Sequence, residues 1–262
     1  MNITQEKQIA IKAAKKAGKM LLKKFITHNR ANVRLKSKHE IVTPADLASE
    51  KIILSAIKKH FPEHNILSEE VGKTGNQKSG YLWLIDPLDG TTNFSMGNPL
   101  FSIAIALAEN NQIILGLIYV PFLDELYLAE KNKPATLNNK KIKVSSEHKI
   151  ADAFLTFCHG NTQPAMQQAI NIYKKLKLQA RDLRQIGSAS IEMAWVARAK
   201  TEAIIIPGVP PWDVAAGSLL VRQAGGICTD LNGREWNLNS QGIIASNKRI
   251  SDCLIRIVKN IK

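Results

Sequence analysis

The 262 residues are 45% hydrophobic and 22% charged, with only 15 Gly and 10 Pro. This composition excludes disordered, collagenous and low-complexity chains and leaves ample apolar surface for a buried core. The 36 Lys and Arg outweigh the 22 Asp and Glu to leave +14, a charge that draws anions without choosing among nucleic acid, membrane surface and phosphorylated metabolites. Residues 1–40 alone hold 11 Lys and Arg against Glu6 and Glu40, so +9 of the excess sits there. Cys158, Cys228 and Cys253 are an odd, widely spaced set without a zinc or redox spacing, which points to reduced thiols in the cytoplasm. No run of 18 apolar residues occurs, and Lys recurs through Lys24, so neither a membrane span nor a signal peptide is expected.

In chain order, the first predicted element is an amphipathic helix over residues 4–26. Ile9, Ala13, Ala17, Leu21 and Phe25 recur every four residues, and Lys12, Lys15, Lys16, Lys19 and Lys23 fall largely opposite. Thr43-Pro44-Ala45-Asp46 announces a second helix by an N-cap, a first-position proline and a first-turn acid, and this helix should run to about Phe61-Pro62. Strands are predicted at 81–86, 101–107, 112–120 and 124–129, as antiparallel hairpins. From about residue 150 the periods alternate: strands at 153–158, 182–186, 202–206 and 242–246, helices at 162–177, 188–199, 213–224 and 248–260. No linker separates the halves 1–150 and 151–262, so residues 1–262 are expected to form a single unit.

The chemistry concentrates in Trp83-Leu84-Ile85-Asp86-Pro87-Leu88-Asp89-Gly90-Thr91-Thr92-Asn93-Phe94. An apolar strand delivers Asp86, and Pro87 keeps Asp86 out of the helical region, so the chain should leave the sheet extended. Asp86 and Asp89 can then converge from a short bend. With carbonyls between them and no His or Cys nearby, they form a hard-oxygen set suited to Mg²⁺ rather than Zn²⁺. Gly90 lacks the Cβ that would obstruct close approach, leaving the Gly90 and Thr91 amides free to face a phosphate oxygen. Taken singly, each acid has a plain structural reading: a polar turn for DPLDGTTN, a solvated pair for Glu69-Glu70, and first-turn acids for Asp46 and Asp213.

Together the run DPLDGTTNF, the later WDVAAGSLLVRQAGG, the upstream EIVTPAD and the SEE between them resemble, in order, the signature elements of the inositol monophosphatase family. The resemblance covers roughly residues 5 to 260. It implies a layered αβαβα sandwich of mixed α/β class, usually dimeric, that acts as a Mg²⁺-dependent, lithium-sensitive phosphomonoesterase. By the family pattern, Glu69, Asp86 and the Leu88 carbonyl would hold a first Mg²⁺, and Asp86, Asp89 and Asp213 a second. Glu69 would help a third through water. Thr91, hydrogen-bonded to Asp46, resembles the pair that orients and deprotonates the attacking water, and Lys36 resembles a family lysine near the metals. Gly90, Thr91 and Thr92 fall at the phosphate, and Ser188 and Ala189 of the GSAS run, with Asp89 and Asp213, at the substrate.

One position departs from the pattern: Ile206 stands where inositol-selective members commonly carry a Glu that binds substrate hydroxyls. A pocket without that partner discriminates less. The implied substrate is inositol 1-phosphate, with broad sugar phosphates, including fructose 1,6-bisphosphate, as the alternative. Adenosine 3′,5′-bisphosphate is a further one, although Thr92-Asn93-Phe94 favours the inositol branch. Of another class is an RNA- or RNA polymerase-binding regulator, since some bacterial members of the family have such a role and the basic first helix could serve it.

Overall fold

The computed structural model describes residues 3–27, 34–37, 40–75 and 79–260. Helix α1 spans Thr4–Ile26 and α2 spans Pro44–His60, with a small antiparallel pair, β1 (Arg34–Ser37) and β2 (Glu40–Val42), between them. Among the described residues, eight strands follow as one sheet: β3 (Asn65–Ser68), β4 (Gly72–Thr74), β5 (Tyr81–Asp89), β6 (Ser102–Glu109), β7 (Gln112–Val120), β8 (Glu125–Glu130), β9 (Thr136–Leu137) and β10 (Lys140–Lys141). Their order is β10-β9-β8-β7-β6-β5-β3-β4, and the short helix α3 (Thr91–Met96) follows β5 directly. A second sheet has the order β12-β11-β13-β15-β14, from β11 (Phe154–Phe157), β12 (Asp182–Arg184), β13 (Ala203–Pro207), β14 (Ile227–Thr229) and β15 (Gly242–Ser246). Helices α4 (Gln163–Lys177), α5 (Ala189–Ala197), α6 (Pro211–Gln223) and α7 (Ser251–Lys259) complete this half.

Strand alternation decides which layer each residue meets. On β6, Ile103, Ile105 and Leu107 pack with Ala13, Ala17 and Leu21 of α1 and with Ile53 and Ile57 of α2. The intervening Ala104, Ala106 and Ala108 belong to a second cluster with Met193 of α5, Val214 and Leu220 of α6, and Ile204 and Ile243 of the smaller sheet. On that sheet's far side, Leu155, Ile205 and Ile244 meet Ile172 and Leu176 of α4 and Leu254 of α7. The layers therefore run α1/α2, large sheet, α5/α6, small sheet, α4/α7, which is the expected αβαβα sandwich. Helix α6 is buried throughout Val214–Val221, as a helix pressed between two sheets must be. Small residues set its distance from the large sheet: a Cβ added at Gly116 would lie 2.5 Å from the Ala216 carbonyl oxygen.

The long periodic elements fall within a few residues of their predicted bounds, and α1 matches its prediction. Its Lys12, Lys15, Lys16, Lys19 and Lys23 are exposed, and Ala13, Ala17 and Leu21 buried. The predicted antiparallel hairpins are present as β5–β6, β6–β7 and β7–β8. Strand β3 pairs parallel to β5, and β15 runs antiparallel to both β13 and β14, so both sheets are mixed. One expectation is corrected: the chain does not leave the sheet at Asp86, because β5 continues to Asp89 through an irregularity that contains Pro87, whose missing N–H is no loss at a bulge. Among the described residues, no helix is long and apolar enough to cross a membrane.

Candidate active site

That irregularity is the first element of the site. Asp86 pairs with Ala104 and Asp89 with Ser102, so three steps along β5 match two along β6. In a regular strand, residues three apart point to opposite faces; the extra residue returns Asp89 to the face of Asp86. Both carboxylates thus point into the layer that holds α5 and α6. Glu69 joins them because β3 lies parallel to β5 with Ser68 beside Ile85, and its amide donates to the Ile85 carbonyl at 3.2 Å. Asp213 arrives on the first turn of α6, where its carbonyl accepts from Ser190 Oγ at 3.0 Å.

Electrostatics report the convergence. Burial first, and then the charges of Glu69, Asp89 and Asp213, hold the Asp86 carboxyl well above the usual carboxylate range. Burial also raises Asp89, opposed by hydrogen bonds from Ser188, Ser102, Ser190 and Ala189. Asp89 Oδ1 accepts from the Ala189 amide at 3.1 Å, while Oδ2 accepts from the Ser190 amide at 3.0 Å, from Ser102 Oγ at 2.9 Å and from Ser188 Oγ. The amides at the start of α5 therefore hold this carboxylate, as a helix N-terminus does for an anion. Ser188 and Ala189, expected at the substrate, are bound to Asp89 itself. Among the described residues, no three His, Cys, Asp or Glu side chains are closed into a metal-holding group; Asp89 in particular directs its oxygens to α5 and Ser102.

Helix α2 supports three parts of this centre from one face. The i, i+3, i+4 spacing brings Asp46, Ser49 and Glu50 to the same side. Asp46 Oδ1 accepts from Thr91 Oγ1 at 2.9 Å, while its Oδ2 accepts from the Thr43 amide and hydroxyl at 2.8 and 2.6 Å. It is both the acid of a capping box and a partner of the motif threonine. Burial raises its pKa against the hydrogen bonds from Thr43 and Thr91. Ser49 Oγ donates to the Pro87 carbonyl at 2.6 Å, fastening the bulge. Glu50 Oε1 accepts from Ser68 Oγ at 2.5 Å and from the Glu70 and Val71 amides at 3.2 Å each, fixing the turn that carries Glu69.

Leu88 is buried, and its carbonyl oxygen also lies 2.9 Å from Thr91 Oγ1. Gly90 sits at φ +85°, and an added Cβ would lie 2.9 Å from the Leu100 carbonyl oxygen, so only glycine fits. Thr92 is exposed on α3. The side chain of Lys36 lies outside the described residues. Sequence reading missed Ser49, Glu50, Asn93, Ser102, Ser190 and Glu192; for Ser49 and Glu50 the signal was their helical spacing from Asp46. Ile206 is fully buried, paired with Ile243 and packed in the core between α5, α6 and the sheets.

Acids gathered in this way inside an αβαβα sandwich, beside a paired threonine and aspartate, mark a class of phosphatases. Within it, the chain belongs to the inositol monophosphatase family, whose model matches residues 2–262. It is 36% identical over 244 residues to a Nus factor SuhB of Pasteurella multocida, which covers 92% of this chain and 91% of that protein. It is 34% identical over 260 residues to an inositol-1-monophosphatase of Mesorhizobium japonicum, covering 96% and 95%. The crystal structure of extragenic suppressor protein suhB from Bartonella henselae aligns with a TM-score of 0.92 at 32% identity, over 98% of this chain and 99% of that one.

Proposed function

We propose that the protein hydrolyses small phosphate monoesters with Mg²⁺, inositol 1-phosphate foremost. The observation that carries this reading is the bulge that sets Asp86 and Asp89 on one face, within electrostatic reach of Glu69 and Asp213. The donors are carboxylates and a carbonyl without nitrogen or sulfur, a set that fits Mg²⁺. Glu69, Asp86 and the Leu88 carbonyl would hold one ion, Asp86, Asp89 and Asp213 a second, and Glu69 through water a third. When bound, such ions supply Lewis acidity at the phosphoryl group and at the attacking and departing oxygens.

The chain's own groups handle the proton. The Thr91 hydroxyl has one hydrogen and two acceptors at 2.9 Å, Asp46 Oδ1 and the Leu88 carbonyl. Donated to Asp46, it leaves a Thr91 lone pair for a proton of the attacking water. Burial, by raising the Asp46 pKa, makes that carboxylate the better base. Water oxygen bonds to phosphorus, the bond from phosphorus to the alcohol oxygen breaks with its electron pair going to that oxygen, the alkoxide so released takes a proton from solvent water, and phosphate and alcohol leave. The amides of Gly90 and Thr91, with Thr92 beside them, would receive the phosphate, and Lys36 would stand near the metals. Ser188 and Ala189 act on the substrate side by holding Asp89.

Buried Ile206 offers a polyol no hydrogen bond, which favours tolerance of several small phosphomonoesters. The test is phosphate release from inositol 1-phosphate, glycerol 2-phosphate, fructose 1,6-bisphosphate and adenosine 3′,5′-bisphosphate, with and without Mg²⁺ and Li⁺. The expected result is Mg²⁺-dependent, Li⁺-inhibited release from the first two at comparable kcat/KM. Undiminished turnover in Asp213→Asn would overturn the metal assignment, and a hundredfold preference for inositol 1-phosphate would overturn the tolerance.

A second reading, a regulator that binds RNA polymerase, is favoured by the exposed Lys face of α1 and by the Nus factor name of the Pasteurella relative. It predicts salt-sensitive polymerase binding that Asp213→Asn leaves intact. With either reading we place the protein in the cytoplasm as a homodimer; the three unpaired cysteines fit a reducing compartment.

A further inference from the structure

Glu192 is a fully buried acid outside every motif that marked the site. From the first turn of α5 it reaches back past the helix start, and its Oε1 accepts from the Ile186 amide at 3.2 Å and the Gly187 amide at 3.1 Å. The opposite edges of the same two residues are also held. Asn93 Nδ2 lies 3.0 Å from the Ile186 carbonyl oxygen, 3.3 Å from that of Gly187 and 2.7 Å from that of Leu100. Gly187, at φ +86°, then turns the chain into Ser188, whose hydroxyl donates to Asp89. The turn also presses on the motif: a Cβ added at Gly90 would lie 3.3 Å from both the Gly187 carbonyl oxygen and Ser188 Cβ.

We propose that Glu192 is a positioning residue of the active site: by accepting the Ile186 and Gly187 amides, it fixes the turn that aims Ser188 and the first α5 amides at Asp89. The substrate never touches it. Its effect on turnover rests on the phosphatase reading; its hold on the turn does not. Burial pushes the Glu192 carboxyl up to about 8, so near neutral pH it is largely protonated. One oxygen then accepts like an amide carbonyl, and the other becomes a donor. Among the described residues, the buried Oε2 has no partner at hydrogen-bond geometry, and the Thr156 hydroxyl is the side-chain group that lowers this pKa from alongside. A glutamine would reproduce the arrangement, with its oxygen toward the amides and its NH₂ toward Thr156.

The experiment compares Glu192→Gln, Glu192→Leu and Glu192→Ala by amide hydrogen exchange at Ile186 and Gly187 and by the Mg²⁺ concentration for half-maximal phosphate release. The glutamine variant should keep both amides protected and its Mg²⁺ requirement within about threefold of wild type. Either apolar variant that folds should lose the protection and need roughly 10–100-fold more Mg²⁺, the usual penalty for removing a support behind a metal ligand. Loss of protection in Glu192→Gln, or its retention together with an unchanged Mg²⁺ requirement in a folded apolar variant, overturns the proposal. If neither apolar variant folds, the exchange of Glu192→Gln decides alone. Should the wild-type protein release no phosphate from any ester, the phosphatase reading fails while the exchange comparison still tests the clamp.

Discussion

Replacing Asp46 by Asn separates two duties that one carboxylate performs. Oδ2 serves the α2 cap through the Thr43 amide and hydroxyl at 2.8 and 2.6 Å; Oδ1 takes the Thr91 hydroxyl at 2.9 Å. Asn has one acceptor oxygen and one NH₂. With the oxygen kept at Thr43, the NH₂ faces Thr91 and donates to the very lone pair that the attacking water needs. Thr91 must then give its hydrogen to the Leu88 carbonyl, also 2.9 Å away, and the proton path closes. The cap survives, and the burial that disfavours an ionised Asp46 no longer opposes folding. The expected cost in stability is therefore within about 1 kcal/mol, the scale of one cap, or a thermal midpoint shift of roughly 2–4 °C in a chain of this size. The kcat should fall about 10²–10⁴-fold, as for loss of a general base. Steady-state phosphate release at saturating Mg²⁺, beside thermal unfolding, measures both. A kcat within fivefold of wild type in a folded Asp46→Asn protein would refute the proton path.

Three further outcomes are expected. Gly90→Ala should lose about 1–3 kcal/mol in urea unfolding, because alanine would be forced to φ +85° against the Leu100 carbonyl; a change below 0.5 kcal/mol, on the order of a neutral surface mutation, would contradict it. Mg²⁺ should raise the thermal midpoint of the wild-type protein, by the equivalent of about 2.7 kcal/mol at a hundred times its dissociation constant; an equal rise in Asp213→Asn would speak against that ligand. The raised pKa of Glu192, with Asp89, Thr156 and Cys158 around it, means that the folded state holds its proton more tightly than the unfolded chain. The stability it contributes is full below about pH 4.5 and is lost as pH rises through about 8. Urea unfolding of Glu192→Gln should therefore gain on wild type between pH 5 and pH 9, by at most on the order of 5 kcal/mol, whereas parallel pH profiles would exclude this titration.

How legible the fold was depended on whether an element announces itself locally. Helix α1, with its four-residue repeat, and α2, with Thr43-Pro44, do so, as do the long strands β5 to β7. Strands β9 and β10 have two residues each and exist by their pairing, which leaves no period to read. Parallel pairing of β3 with β5 is a long-range choice made by burial, not by either segment. At the site, residue types were readable and directions were not. Nothing local tells that Asp89 turns to α5, because its partners lie about a hundred residues away at Ser188 to Ser190. Glu192 reads as an ordinary helix acid until the sheets close over it.

The common face of Asp46, Ser49 and Glu50 bears on how the centre tolerates change. A small slide or tilt of α2, such as altered packing against α1 would produce, carries the Thr91 partner, the Pro87 anchor and the Glu69 turn in the same direction. Errors in placement are then shared among these three parts instead of accumulating, and their spacing relative to one another is preserved while the helix drifts. Three separate supports on three loops would have no such common motion. Sequence divergence in the outer helices can proceed without retuning the catalytic distances one by one.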